Sequence, residues 1–117
     1  MAKRNAETTT DDMTIIRGTG NVFADLGMLD AEERQTKLRL AHAINAVIGR
    51  RRLTQASAAK KLGVGQRKVS ALANYKLDGF SVERLMGFLT SLDQDVEIVI
   101  RNKPRSRSAG RISVNAV

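Results

Sequence analysis

A mainly α-helical fold, four to five helices in a bundle with one or two short β-strands at its C-terminal end, is predicted by three features of this 117-residue chain. Apolar residues between Leu38 and Leu92 recur at three- and four-residue intervals, the period of helices that bury one face. Good capping residues, Asp30, Thr54 and Ser81, stand before those runs, and Gly63 and Gly65 break the pattern where a tight turn must fit. After Asp95 the character changes to Val96–Arg101, rich in β-branched residues and alternating like a strand.

The elements follow in order. Residues 1–12 are small and polar, with too little apolar surface to offset the entropy of ordering, and residues 1–29 are read as a flexible N-terminal arm. From Thr14 the arm turns apolar around a Gly18–Gly20 turn. Asp30 is expected to cap a helix from about Ala31 to Arg51, with Glu32 and Glu33 facing the positive end of its dipole and Leu38, Ala41, Ile44 and Ile48 as its buried stripe. Thr54 caps a second helix that runs through Leu62. Gly63 supplies the positive φ of a tight turn, and Gly65 opens a third helix that ends near Asn74. Ala58 and Ala59 allow close approach between helices, while Leu62, Val64, Val69 and Leu72 are spaced to bury.

Ser81 caps a fourth helix whose Leu85, Phe88, Leu89 and Leu92 follow the helical rule, with Phe80 placed to staple against Leu85. Val96, Ile98 and Ile100 then share one face of a strand, and the alternating segment Arg111–Val117 could complete a hairpin. A lone two-stranded ribbon is marginal in water, so pairing with a second copy about a two-fold axis is the expected arrangement. Residues 30–101 thus form one domain with a dimerisation strand at its end, and 102–117 a basic tail that could supply a second strand.

Charge is distributed in blocks. The net +8 divides into −4 over residues 1–33, +11 over 34–77, −4 over 78–100 and +5 over 101–117. Between Arg34 and Leu77 there are eleven Lys or Arg and no acid, so local helix pairs cannot neutralise the segment and an external polyanion is expected. Nucleic acid phosphate fits that requirement. Two helices joined by a tight turn within this stretch make a helix-turn-helix, which lays its second helix in the major groove of DNA.

On the outer face of the third helix stand Gln66, Arg67, Lys68, Ser70, Ala71 and Asn74, the first three at its N-terminus. Gln pairs bidentately with adenine and Arg with guanine, so Gln66 and Arg67 are the base-reading candidates. Lys68 suits a base or a phosphate. Thr54, Gln55 and the N–H groups that open the second helix suit a phosphate, as does Lys76 beyond the third helix.

The segment LTQASAAKKLGVGQRKVSALAN closely resembles the helix-turn-helix of the phage-repressor-like (XRE) family, with Gln55, Ala59, Gly63 and Val69 at the places of its phosphate-contacting Gln, packing Ala, turn Gly and buried aliphatic. GTGNVFADLGMLDAEER and GFSVERLMGFLTSLDQDVEIVIR resemble the HigA-type antitoxin branch, so that the likeness covers roughly residues 15–101. Gly65 departs from the Ser, Thr or Asp with which many relatives cap the recognition helix, at a cost of only a few tenths of a kcal/mol. The resemblance implies an autorepressor that dimerises, binds operator DNA at its own promoter and neutralises a HigB/RelE-like mRNA-cleaving toxin. It assigns toxin contact to the N-terminal arm, at Ile15, Ile16, Val22, Phe23 and Leu26, although the apolar 22–29 segment could equally cover the chain's own core. A stand-alone regulator without a toxin is the alternative.

Other features point elsewhere or nowhere. There is no Cys, so disulfides, thiolate zinc sites and cysteine nucleophiles are out, and a reducing cytosol is the expected compartment. With no signal peptide and no apolar run of membrane length, a cytoplasmic protein without membrane contact is expected. His42, the single histidine, lacks companions for a ligand set and is read as structural. The GTG at 18–20 lacks the strand and third glycine of a dinucleotide loop. No metal, cofactor or catalytic group is expected, and three Phe with one Tyr make a poor stacking platform for single-stranded RNA. Arg50–Arg52 could be a solvated helix end or a phosphate contact. The KPRSRS stretch is open between a solvated loop, a second nucleic-acid contact and a strip for an acidic partner.

Overall fold

The computed structural model describes residues 22–116. Four helices occur among them: α1 (Val22–Arg50), α2 (Gln55–Leu62), α3 (Gln66–Ala73) and α4 (Val82–Ser91). By its internal packing the chain divides into two units, Met1–Asp30 and Ala31–Val117. The core described below lies in the second.

α1 begins at Val22, upstream of the expected start at Ala31. Asp30 therefore lies inside the helix instead of capping it, because Ala24, Leu26, Met28 and Leu29 are good helix formers and an interior Asp costs only some tenths of a kcal/mol. The buried stripe of α1 also differs from expectation. Leu40, Ala41, Ile44 and Val47 are buried, Ile48 is half-buried, and Leu38 is 43% exposed. Leu38 sits about 120° round the helix from Ile44, too far to share its face. Glu33 and Lys37 pair one turn apart at 3.4 Å.

The remaining helices match their caps. The Thr54 hydroxyl accepts the Ser57 N–H at 3.0 Å, and the Ser81 hydroxyl accepts the Arg84 N–H at 3.0 Å. Ala58, Ala59 and Leu62 of α2, Val69 and Leu72 of α3, and Leu85, Phe88 and Leu89 of α4 join α1 in one core. Phe80, just before the Ser81 cap, is buried and meets Phe88 edge-on with ring centroids 5.9 Å apart.

All four helices end in the same way. In each, one N–H bonds back across six residues, Leu53 to Ile48, Val64 to Ala59, Lys76 to Ala71 and Gln94 to Leu89, and the preceding residue has positive φ. This is the Schellman arrangement, which favours glycine at the positive-φ position. Only α2 has one, Gly63 at φ 72°; the others use Arg52 at 54°, Tyr75 at 57° and Asp93 at 64°.

Beyond α4 the expected C-terminal strands do not form. Val96–Arg101 and the segment from Arg111 run without strand assignment, and no strand occurs among the described residues. High β-propensity disposes a backbone to extend, but a strand exists only where a neighbour completes its ladder. Ile98, Val99 and Ile100 are 76%, 60% and 92% exposed, while Val96 packs against the core. The tail instead returns to α1: the Ile112 N–H donates to Glu32 Oε2 at 3.1 Å, Arg39 Nη1 donates to the Val114 carbonyl at 3.4 Å, and Val114 packs on the core. Between them the basic loop turns at Pro104, whose carbonyl accepts the Arg107 N–H. Among the described residues no helix is long and apolar enough to cross a membrane.

Candidate nucleic-acid interface

The interface is built on the α2–α3 pair. α2 packs against α3 through Ala58, Ala59 and Leu62 on one side and Val69 and Leu72 on the other, so that the small residues bring the two backbones close. The turn between them needs Gly63. At φ 72° a side chain would strain the backbone, although a Cβ there would meet nothing within 4 Å.

α3 opens without a side-chain cap. Gly65 has extended backbone at φ −76° and ψ 161° and its carbonyl accepts the Lys68 N–H at 3.0 Å, so the N–H groups of Gln66 and Arg67 are the ones that keep their capacity for an outside acceptor. Gln66, Arg67 and Lys68 stand there exposed, with no acid in the first turn of the helix. That combination suits an electronegative groove edge.

The neighbouring residues fall into place around it. Thr54 and Gln55 are exposed at the start of α2, where the Thr54 oxygen already serves as cap and its hydroxyl hydrogen remains to donate. Ser70 is half-buried, and Asn74 is exposed with its amide donating to the Ser70 carbonyl at 2.9 Å. Lys76 is exposed one residue after Tyr75. Lys68 turns back toward the α3–α4 loop: its ammonium lies 4.9 Å over the Phe80 ring. Of the arginine triplet, Arg51 pairs with Asp93 at 3.7 Å, and Arg50 and Arg52 are exposed.

Two positioning contacts lie outside the sequence reading. Asn45 of α1 donates its amide to the Leu72 carbonyl of α3 at 3.0 Å, tying the recognition helix to the long helix behind it. The Tyr75 hydroxyl lies 3.4 Å from Nδ1 of His42, a second tie at the same end of α3 and a structural role for that histidine. A polar residue on the inner side of a helix whose neighbours are all apolar was the available signal for Asn45; nothing local marks the Tyr75 contact.

The assigned residues elsewhere are placed as follows. Val96 is half-buried and Ile98 and Ile100 are exposed on the segment after α4. Val22, Phe23 and Leu26 fall in the first turns of α1, and Ile15 and Ile16 lie outside the described residues.

Comparison with known proteins fits this geometry. A family model described as a helix-turn-helix domain matches residues 22–101. A solved chain named "Putative XRE Family Transcriptional Regulator" is 75% identical, aligns over 75% of this chain and 99% of its own length, and superposes with a TM-score of 0.72. No curated protein matches the chain. With the turn, the packing alanines and the basic helix end in place, the chain belongs to the XRE family of helix-turn-helix transcriptional regulators.

Proposed function

We propose that this DNA-binding regulator grips its operator as a two-fold homodimer, the α3 helices of the two copies entering successive major grooves. The observation that carries this reading is the N-terminus of α3, uncapped and acid-free, with Gln66 and Arg67 exposed upon it. Gln66 and Arg67 read base edges, while Thr54, Gln55 and Lys76 hold phosphates and fix the register. Ser70 and Asn74 border the reading surface farther along the helix. The dimer is supported by Val96–Arg101, whose β-branched composition and exposed Ile98 and Ile100 suit pairing with a second copy. Footprinting tests the reading. Two half-sites about one helical turn apart are expected, and a single unpaired site would overturn it.

The finer role is that of an antitoxin that represses its own promoter and neutralises a HigB/RelE-like mRNA-cleaving toxin. Its support is the likeness of the three sequence blocks and the acidic N-terminal third, −4 over residues 1–33 in a chain of +8. An RNA-cleaving partner needs cations to hold its substrate, and an acidic arm would mask them. In this role Ile15, Ile16, Val22, Phe23 and Leu26 supply the apolar anchor. Co-purification with the product of a neighbouring small reading frame, and loss of that capture on removal of residues 1–29, are the expected results. Operator binding without capture of any neighbouring product would leave a stand-alone regulator.

A further inference from the structure

Six large apolar side chains are exposed among the described residues, Leu38, Tyr75, Ile98, Val99, Ile100 and Ile112, and five of them fall in two groups. Leu38 and Tyr75 border an open groove along α1, lined between them by Ala43 and Ala46 and edged by Val114 of the returning tail. Ile98, Val99 and Ile100 make an exposed apolar ridge on the segment after α4. One patch is concave with small residues in it, the other a run of β-branched side chains.

We propose that the α1 groove of one copy seats the Ile98–Ile100 ridge of a second copy, reciprocally about the two-fold axis. This rests on the dimeric reading above and says where the pairing segment lies. Ala43 and Ala46 leave space that an isoleucine fills, and the four-residue steps Leu38–His42–Ala46 and Arg39–Ala43 set the groove along a single face of α1. Charge agrees in sign. The ridge is preceded by Asp93, Asp95 and Glu97 with no cation among residues 93–100, whereas the groove carries Arg39 and residues 34–42 contain no acid.

The groove also holds a strained wall. Tyr75 occupies the left-handed region at φ 57° where glycine is the ordinary occupant, and its hydroxyl reaches His42. That conformation closes α3 as Arg52 and Asp93 close α1 and α4, and Tyr75 lines the groove wall. Reciprocal seating covers both patches at once and satisfies the closure that a two-fold interface requires.

The chain has no cysteine, so engineered ones report without background. Ala46→Cys and Ile98→Cys chains are purified separately, mixed under conditions of subunit exchange, and oxidised mildly. A 46–98 cross-link between chains, identified by mass spectrometry of the peptide pair, is the expected result. Ala46→Arg, at an exposed helical position that tolerates Arg, should keep the helical circular dichroism and weaken dimerisation at least tenfold by sedimentation. A stable dimer that gives no 46–98 pair and tolerates Ala46→Arg overturns the seating and leaves the dimeric reading standing. A monomer at concentrations that saturate the operator overturns both.

Discussion

The ammonium of Lys68 stands 4.9 Å over the ring of Phe80, on the side of α3 that meets the α3–α4 loop. Gly79 makes room for it: a Cβ on that residue would lie 3.2 Å from Lys68 Nζ. Phe80 is itself buried against Phe88, so the contact joins the exposed end of the recognition helix to the core. Lys68 is thereby drawn away from the exposed edge of α3 that Gln66 and Arg67 occupy.

Lys68→Met keeps the stem over the ring and removes the charge. Stability should fall by about 0.5–1 kcal/mol in denaturant titration, the range of an exposed cation–π pair. Operator affinity should fall equally on specific and random DNA, with base preference unchanged. A changed preference at one base pair would place Lys68 among the base readers.

Asn45 gives a second test, of the coupling between α1 and α3. Its bond to the Leu72 carbonyl is half-buried, and Leu72 also accepts the Tyr75 N–H, so Asn45→Ala leaves no orphaned carbonyl. The expected loss is about 1 kcal/mol of stability. Because that bond fixes how α3 projects from α1, operator affinity should drop severalfold even where the protein is fully folded. Unchanged affinity under those conditions would show that core packing alone orients the helix.

Much of this architecture is legible in the sequence, for local reasons. Thr54 and Ser81 announce their helices because capping needs only neighbours three residues away, and Gly63 announces the turn because its conformation excludes most side chains. The start of α1 is less legible: Asp30 is a good cap, but the residues before it also favour helix, and capping propensity does not say which tendency prevails. Leu38 was misassigned to the core because i, i+3 spacing from Ala41 admits two adjacent stripes, and the choice between them is made by α2 to α4. The C-terminal strands were over-read from β-propensity. Asn45–Leu72 and Lys68–Phe80 depend on tertiary neighbours, the former 27 positions apart, and no local pattern encodes them.

The helix ends predict opposite responses to glycine. Arg52 holds φ 54° at the end of α1, a conformation that costs a non-glycine residue about 1 kcal/mol, so Arg52→Gly should stabilise the fold by up to that amount. Gly63→Ala, at φ 72° with open space around it, should lose a similar amount through the backbone alone. Melting temperatures of the two variants should move in opposite directions. If Arg52 also touches phosphate, its glycine variant will be more stable and bind DNA less well, so stability and affinity must be measured on the same preparation. Destabilisation by Arg52→Gly would show that its side chain contributes more than its backbone costs.

The last prediction separates reading from gripping. Arg67 stands exposed at the uncapped end of α3, where a guanidinium can meet the O6 and N7 of guanine, whereas Lys76 lies beyond the helix near its C-terminal turn. Arg67→Ala should therefore cost about 1–3 kcal/mol on the operator and relax preference at one base pair. Lys76→Ala should weaken specific and random duplexes alike and lower the slope of log affinity against log salt by about 1, the signature of one lost phosphate contact. The comparison requires both DNAs across a salt series, because at one salt concentration the two losses can coincide. Equal losses on specific and random DNA for Arg67→Ala would move it to the phosphate contacts and leave Gln66 as the remaining reader at the head of the helix.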